Sequence, residues 1–225
     1  MDKEPVTTAN RPLVKVAVIT GGHAYDVPTF QQFLRKMARI DCYLQNLEDF
    51  VNGRDKCSWY DALVFYNFHQ PTPTGQEKGW ERGIMDTLKL LGHSNQGIVV
   101  LHHALLAFPN WPFWSELVGI ANRTFDYYHD QQVPTQIADE DHPITLGLQA
   151  WEMTDEIYQM DSAGPDSHIL LTTQHPRSMR TLAWTKQFGQ ARVFCYEGGH
   201  DELTFTNATF QTVVEHGILW SAGRL

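Results

Sequence analysis

Residues 14–20, VKVAVIT, form a near-continuous apolar, β-branched run that stops at Gly21-Gly22. A strand with one wet face alternates apolar and polar side chains. This run does not, so a strand built from it must be covered on both faces, as in a parallel sheet. The pattern returns at residues 40–46, 61–67 and 97–102, and the last is apolar enough to predict a central strand. After the first run, residues 28–39 place Phe30, Phe33, Leu34 and Met37 at helical spacing behind a first-turn proline. Residues 75–91 carry the same period through Trp80, Ile84, Leu88 and Leu91. Strands alternating with helices in this way predict a doubly wound sheet whose right-handed crossovers lay helices on both faces. The fold expected is therefore α/β: a doubly wound, flavodoxin-like, mostly parallel sheet. The second half predicts strands at 124–137, 168–173, 181–185 and 191–196, the last two joined as a hairpin through Gly189. A helix at 207–220 closes the fold. No repeat or long linker divides the chain, so residues 1–12 are expected as a loose tail and 13–225 as one domain.

Composition narrows the function. The 26 acidic and 17 basic residues give a formal charge of −9, and no segment concentrates Lys and Arg. That argues against a nucleic-acid partner and against a basic membrane patch, leaving a neutral or weakly charged small molecule as the ligand. The N-terminal MDKEPVTTANRP lacks the apolar core of a signal peptide, and no run of about 18 apolar residues occurs. Cys42, Cys57 and Cys195 are too widely spaced for a disulfide framework or a zinc clip, and free thiols suit a reducing compartment. The expectation is a cytoplasmic protein. Seven tryptophans point to a cleft or to a subunit interface, which makes a homodimer the assembly to expect.

In an open α/β sheet, ligands bind outside the carboxyl ends of the strands. The residues that follow the predicted strands there are Gly21-Gly22-His23, Asn67-Phe68-His69, His102-His103 and, after residue 196, Glu197-Gly198-Gly199-His200-Asp201-Glu202. Separate strand ends thus deliver histidine to one edge, and His23, His102, His103 and His200 are expected to converge in one cleft. His69 is a weaker candidate. His93, His129, His142, His168, His175 and His216 are read as structural or surface residues. Gly21-Gly22 and Gly198-Gly199 allow close backbone approach to a ligand and can present N–H groups to an anion. Neither a GxGxxG fingerprint nor a phosphate loop is present, so no nucleotide cofactor is expected. GIVVLHHALL has His103 where a hydrolase elbow would carry its nucleophile.

The stretches VAVITGGHAYDVPTF (16–30), DALVFYN (61–67), GIVVLHHALLAFPNWPFW (97–114), DHPITLGL (141–148), TDEIYQM (154–160) and 191–223 cover nearly the whole chain. In them the chain resembles the trehalose-utilisation, or ThuA-like, proteins of the class I glutamine amidotransferase-like superfamily. Amidotransferases of that superfamily carry a cysteine at the turn after the central strand. This chain carries His102-His103 there, so glutaminase activity is not expected. The resemblance implies a role in catabolism of trehalose, another disaccharide or a keto-sugar. It assigns catalysis to His103, His200, Asp201, Glu202 and Glu156, and substrate contacts to Gly22, His23, Tyr158, Gly199 and Trp111. It also implies a divalent metal, zinc first, on His23, His102 and His200. Asp201, Glu202 or Glu156 would orient an imidazole. A non-enzymatic sugar-binding or regulatory protein that retains the cleft is the alternative, and a protein acting only through a dimer interface is a third.

Overall fold

A computed structural model describes residues 12–225, so most of the tail expected over residues 1–12 lies outside the described residues. The four apolar runs are strands β1 (Val14–Gly21), β2 (Ile40–Asn46), β3 (Ala62–Asn67) and β4 (Gly97–Leu101). β5 (Asp126–Ile137), β6 (Trp151–Gln159), β7 (His168–Thr172), β8 (Thr181–Phe188) and β9 (Ala191–Tyr196) follow. They form one sheet in the order β2-β1-β3-β4-β9-β8-β7-β5-β6. From β2 to β9 every pairing is parallel, with Val16 opposite Cys42 and Ala62, Val64 opposite Val99, and Val100 opposite Cys195. This is the flavodoxin-like core expected. From β9 onward the pairings are antiparallel, and the hairpin at Gly189 is one of them.

The uninterrupted apolar runs have the expected cause. Every residue of β3 and β4 is buried, and successive residues of one strand enter opposite cores. Val16, Val18, Val64 and Val99 pack with Phe30 and Phe33 of α1 (Val27–Arg35) and with Phe210, Val213 and Ile218 of α6 (Ala208–Ser221). Ala17, Ile19, Leu63, Phe65, Ile98 and Val100 pack with Phe50 of α2 (Leu47–Asn52), Leu88 of α3 (Ile84–Leu88) and Trp114 of α4 (Pro112–Val118). Asp26 caps α1 by accepting the Thr29 N–H, and Asn207 caps α6 by accepting the Phe210 N–H.

The helix expected over 75–91 is largely absent. Only Ile84–Leu88 is α-helical, behind a 3-10 turn at Gly79–Glu81. Gly79 and Gly83 sit at φ 65° and 94°, left-handed values that no continuous helix passes through. Trp80, counted as part of the apolar stripe, is 79% exposed. α1 is also shorter than predicted, because the chain turns at Lys36 toward β2.

Between β5 and β7 the sheet is thin. Only Gln136↔Thr172 and Ile137↔Leu171 pair there, whereas β5 and β6 pair along most of their length. The β5–β6 ribbon lies across the carboxyl ends of β4 and β9: the Tyr158 N–H of β6 donates to the Glu197 side chain just past β9 (2.7 Å).

Candidate functional site

β4 ends at Leu101, and His102 turns the chain with φ 53°, a value uncommon for any residue with a side chain. The turn continues as a 3-10 segment over His102–Leu106. His102, not His103, therefore takes the strained elbow position after the central strand. Its ring is fully buried, and Nδ1 lies 2.7 Å from the Glu197 carbonyl oxygen. A carbonyl only accepts, so Nδ1 carries the hydrogen and Nε2 of the neutral ring presents a lone pair. That Nε2 faces the Tyr158 hydroxyl at 2.8 Å, His200 Nδ1 at 3.2 Å and Glu156 Oε1 at 3.4 Å. Glu156 Oε1 is in turn 3.5 Å from His200 Nδ1. Among the described residues, His102, Glu156 and His200 form the group whose ligand atoms all lie within 4.8 Å of one another.

Strand alternation sends Glu156 and Tyr158 of β6 to the same face, toward His102. Asp155, on the opposite face of the strand from Glu156, serves the neighbouring loop. Its Oδ2 accepts the Gly199 N–H at 2.8 Å and its Oδ1 accepts the His200 N–H at 3.0 Å. The Gly198-Gly199 loop was expected to offer such N–H groups to a ligand anion; the carboxylate of Asp155 takes them instead. His129, read from the sequence as structural, belongs to the site. A bulge in β5 between Tyr128 and Gln131, with Asp130 at φ 54°, brings His129 Nδ1 to 2.7 Å from Glu156 Oε2.

Electrostatics follow from burial and charge. Burial pulls the His102 pKa down, but the Glu156 hydrogen bond and the charges of Asp155, Glu156 and Glu197 overcome it and hold the value raised. Burial would raise Glu156, yet His102 and His200 hold its carboxyl below the usual range. Burial, with the Asp155 charge, pushes Glu197 up to about 8. His200 is lowered by burial and by His102, and His103 well lowered by burial and by the neighbouring His102 and His23.

The four strand-end histidines cluster, with ring centroids 4.8 Å apart for His23 and His103, and 5.3 Å for His102 with either His103 or His200. A cavity of about 230 Å³ opens between them and the ribbon, lined by His23, His103, Glu156 and Tyr158 together with Phe68, Phe125 and Tyr127. His23 is exposed and stands outside the converging ligand group, where Glu156 takes the place assigned to it. Asp201 caps the short helix α5 (Glu202–Phe205) by accepting the Leu203 N–H, and Glu202 is exposed at its start. The imidazole partner they were expected to supply is Glu156. Trp111 is a core residue, packed with Phe108 and Phe113 on the far side of the turn. Gly22 is held by the chain beside it: a Cβ there would meet the Phe68 carbonyl carbon at 2.6 Å. His69 pairs with Glu48 at 3.1 Å and stacks on Phe108.

The turn that carries His102 and His103 is held from below by Arg123. Its guanidinium, 5% exposed, donates to the carbonyls of Leu105, Ala107, Phe108 and Pro109 and to Ser115 Oγ. Burial lowers its pKa to about 10.

Among curated proteins no sequence matches this chain. Solved structures do. A ThuA-like protein of Parabacteroides merdae is 21% identical, with a TM-score of 0.73 over 94% of this chain and 90% of its own. A cytoplasmic protein of Salmonella typhimurium is 12% identical, with a TM-score of 0.66 over 92% of this chain and 99% of its own. A glutamine amidotransferase of Thermotoga maritima, 5% identical, gives a TM-score of 0.55 over 94% and 99%. These likenesses establish the fold, a glutamine amidotransferase-like α/β architecture. Among the described residues no helix is long and apolar enough to cross a membrane. The family model for trehalose utilisation, ThuA, matches residues 15–221. The chain belongs to the ThuA, or trehalose-utilisation, family.

Proposed function

We propose that this protein acts in carbohydrate catabolism, on trehalose, another disaccharide or a keto-sugar derived from one, at a divalent-metal centre in the histidine cleft. The observation that carries the reading is the spacing of three ligand atoms. His102 Nε2, His200 Nδ1 and Glu156 Oε1 lie 3.2, 3.4 and 3.5 Å apart. Atoms bound to one zinc ion at about 2.0–2.1 Å sit roughly 3.3 Å apart at tetrahedral corners, so the donor set fits zinc in spacing and in kind. Further support comes from the second atoms of the ligands. The Glu197 carbonyl fixes the His102 tautomer that puts the lone pair on Nε2, toward His200 and Glu156, and His129 holds the other oxygen of Glu156. A bound zinc ion would supply Lewis-acid polarisation of a sugar oxygen and a more acidic bound water.

The chain's own groups supply the rest. Asp155 fixes the His200 main chain, and so the direction of its imidazole. Tyr158, whose hydroxyl burial keeps protonated, can give a hydrogen bond to His102 or to an incoming oxygen. Glu156 and His129 form a pair able to hold and pass a proton at Glu156 Oε2. Glutamine hydrolysis does not belong to this reading. Cys195 is buried within β9, and Cys42 and Cys57 lie at β2 and beyond α2, away from the elbow.

The test is metal content. Protein loaded with Zn²⁺ and dialysed should hold one ion, and His102→Ala, His200→Ala and Glu156→Ala should each lose it while His23→Ala keeps it. Full occupancy in the three ligand variants, with their fold intact, would overturn the metal centre. Turnover of a sugar by metal-free protein would replace it with a metal-free acid–base pair.

A further inference from the structure

His103 is 3% exposed, yet neither ring nitrogen has a hydrogen-bond partner among the described residues. The Tyr66 main chain lies toward the ring, but outside hydrogen-bond geometry. Buried imidazoles are seldom left in this state, because a buried polar group without a partner forfeits the hydrogen bonds it made to water. The ring is pinned by Tyr66 at 4.3 Å, His23 at 4.8 Å and Phe68 at 5.8 Å between centroids. The ring lines the cavity of about 230 Å³, which is the open space beside it.

The rest of the wall defines what could provide the partner. Phe125, just before β5, and Tyr127 and His129 within it occupy alternate positions, with Phe125–Tyr127 and Tyr127–His129 centroids at 6.3 and 5.2 Å. Phe68 faces them from the sheet side. No Lys or Arg lines the space, and Glu156 does, so the cavity is shaped for a neutral ligand rather than a sugar phosphate or acid. Its volume falls below the roughly 300–1,000 Å³ of pockets that enclose drug-sized molecules. One six-membered ring fits that size, and two do not.

We infer that His103 is the specificity-determining residue of this cleft, hydrogen-bonding an oxygen of one neutral sugar ring seated among Phe68, Phe125 and Tyr127, with any second ring left outside. This rests on the carbohydrate reading above and adds which part of the sugar is recognised and by what. A neutral imidazole offers one donor and one acceptor, a match for a hydroxyl.

The experiment uses zinc-loaded full-length protein, with glucose, methyl glucoside and trehalose as probes in calorimetric titrations. His103→Phe keeps the ring shape and removes both nitrogens. The variant should retain its zinc and melt at or above the wild-type temperature, because an unpartnered polar ring has been exchanged for an apolar one. Its affinity for methyl glucoside should fall tenfold to a hundredfold. Trehalose and methyl glucoside should bind wild type within about tenfold of each other. In wild type, ¹⁵N signals of the His103 ring should move on adding methyl glucoside, a readout that needs no variant. Unchanged affinity or a clearly lower melting temperature in His103→Phe would overturn the assignment, as would immobile ring signals. Trehalose binding far more tightly than methyl glucoside would overturn the single-ring limit. Wild type that binds none of the three sugars would end this inference, while its zinc content would still report separately on the metal centre.

Discussion

Replacing Arg123 by methionine tests how the elbow that carries His102 is held. The guanidinium is a buried cation with no ion pair to a carboxylate among the described residues. Its charge is met by carbonyl oxygens and the Ser115 hydroxyl, which reaches solvent more readily than the carbonyls do and adds little to the loss. Of these, Phe108 O also accepts the Trp111 N–H, so it keeps a partner in the variant. Pro109 O is at 3.4 Å and contributes little. Leu105 O and Ala107 O are buried acceptors that would be stranded. At about 1–3 kcal/mol for each stranded group, the loss is about 4 kcal/mol. Methionine preserves much of the apolar stem, so lost packing adds little. Arg123→Lys keeps the charge and up to three donors, and should cost about half as much. Against a typical total of about 5–15 kcal/mol, the methionine variant should show a large fall in urea midpoint at unchanged slope. A loss below about 1 kcal/mol, or a lysine variant as damaged as methionine, would refute the account of Arg123 as the support of the turn.

Gly22→Ala should destabilise by about 2 kcal/mol or more in urea unfolding, since the new Cβ meets the Phe68 backbone at 2.6 Å and the backbone sits at φ 76°. Half-buried Cys42, with its thiol pushed up to about 12, should react slowly with a thiol reagent near pH 8 in native protein, and buried Cys195 should resist it; full labelling of Cys195 without unfolding would contradict its burial. Stability should decline on acidification in two stages. Burial holds His142 below its ordinary pKa, so its contribution is complete above about 6.5 and is lost as pH falls beneath that. The Asp139 carboxyl is lowered by its hydrogen bond to His168, so its contribution is present above about 3.9 and is lost as pH falls through the depressed value. Urea midpoints between about pH 7 and about pH 5 should vary less in His142→Gln than in wild type; an equal slope would remove His142 from the explanation.

The parallel half of the molecule was legible because Val16, Ala17, Val18 and Ile19 feed two cores in turn, which leaves an unbroken apolar trace in the sequence. β6 left no such trace. Its Asp155 and Glu156 are buried for the site and not for the core, so its strand period is masked by carboxylates. His129 was equally hidden, because the bulge that aims it is a backbone event with no residue signature of its own. The helical period before Leu91 is misleading because Trp80 faces solvent, and Gly79 and Gly83 take left-handed φ values that interrupt the helix. Convergence of the strand-end histidines could be read from topology. The choice of Glu156 over His23 as their companion depends on where the ribbon lies, and nothing in the strand-end residues encodes that.

The way the ribbon is attached has a mechanical meaning. Two residue pairs fasten β5 to the main sheet, while Glu156, Tyr158 and His129 on the ribbon meet His102 and His200 on the rigid edge. The site is thus a seam inside one core, because Val133, Met153 and Ile157 of the ribbon pack in the same cluster as Val99 and Phe194, and Glu197, Gly199 and His200 bond to the ribbon directly. Anything that bridges Glu156 and His102 adds to that closure, and the binding energy appears as added resistance of the ribbon to local opening. Amide exchange in residues 126–159 should then slow on occupancy, while the central strands, already locked by two cores, keep their pace.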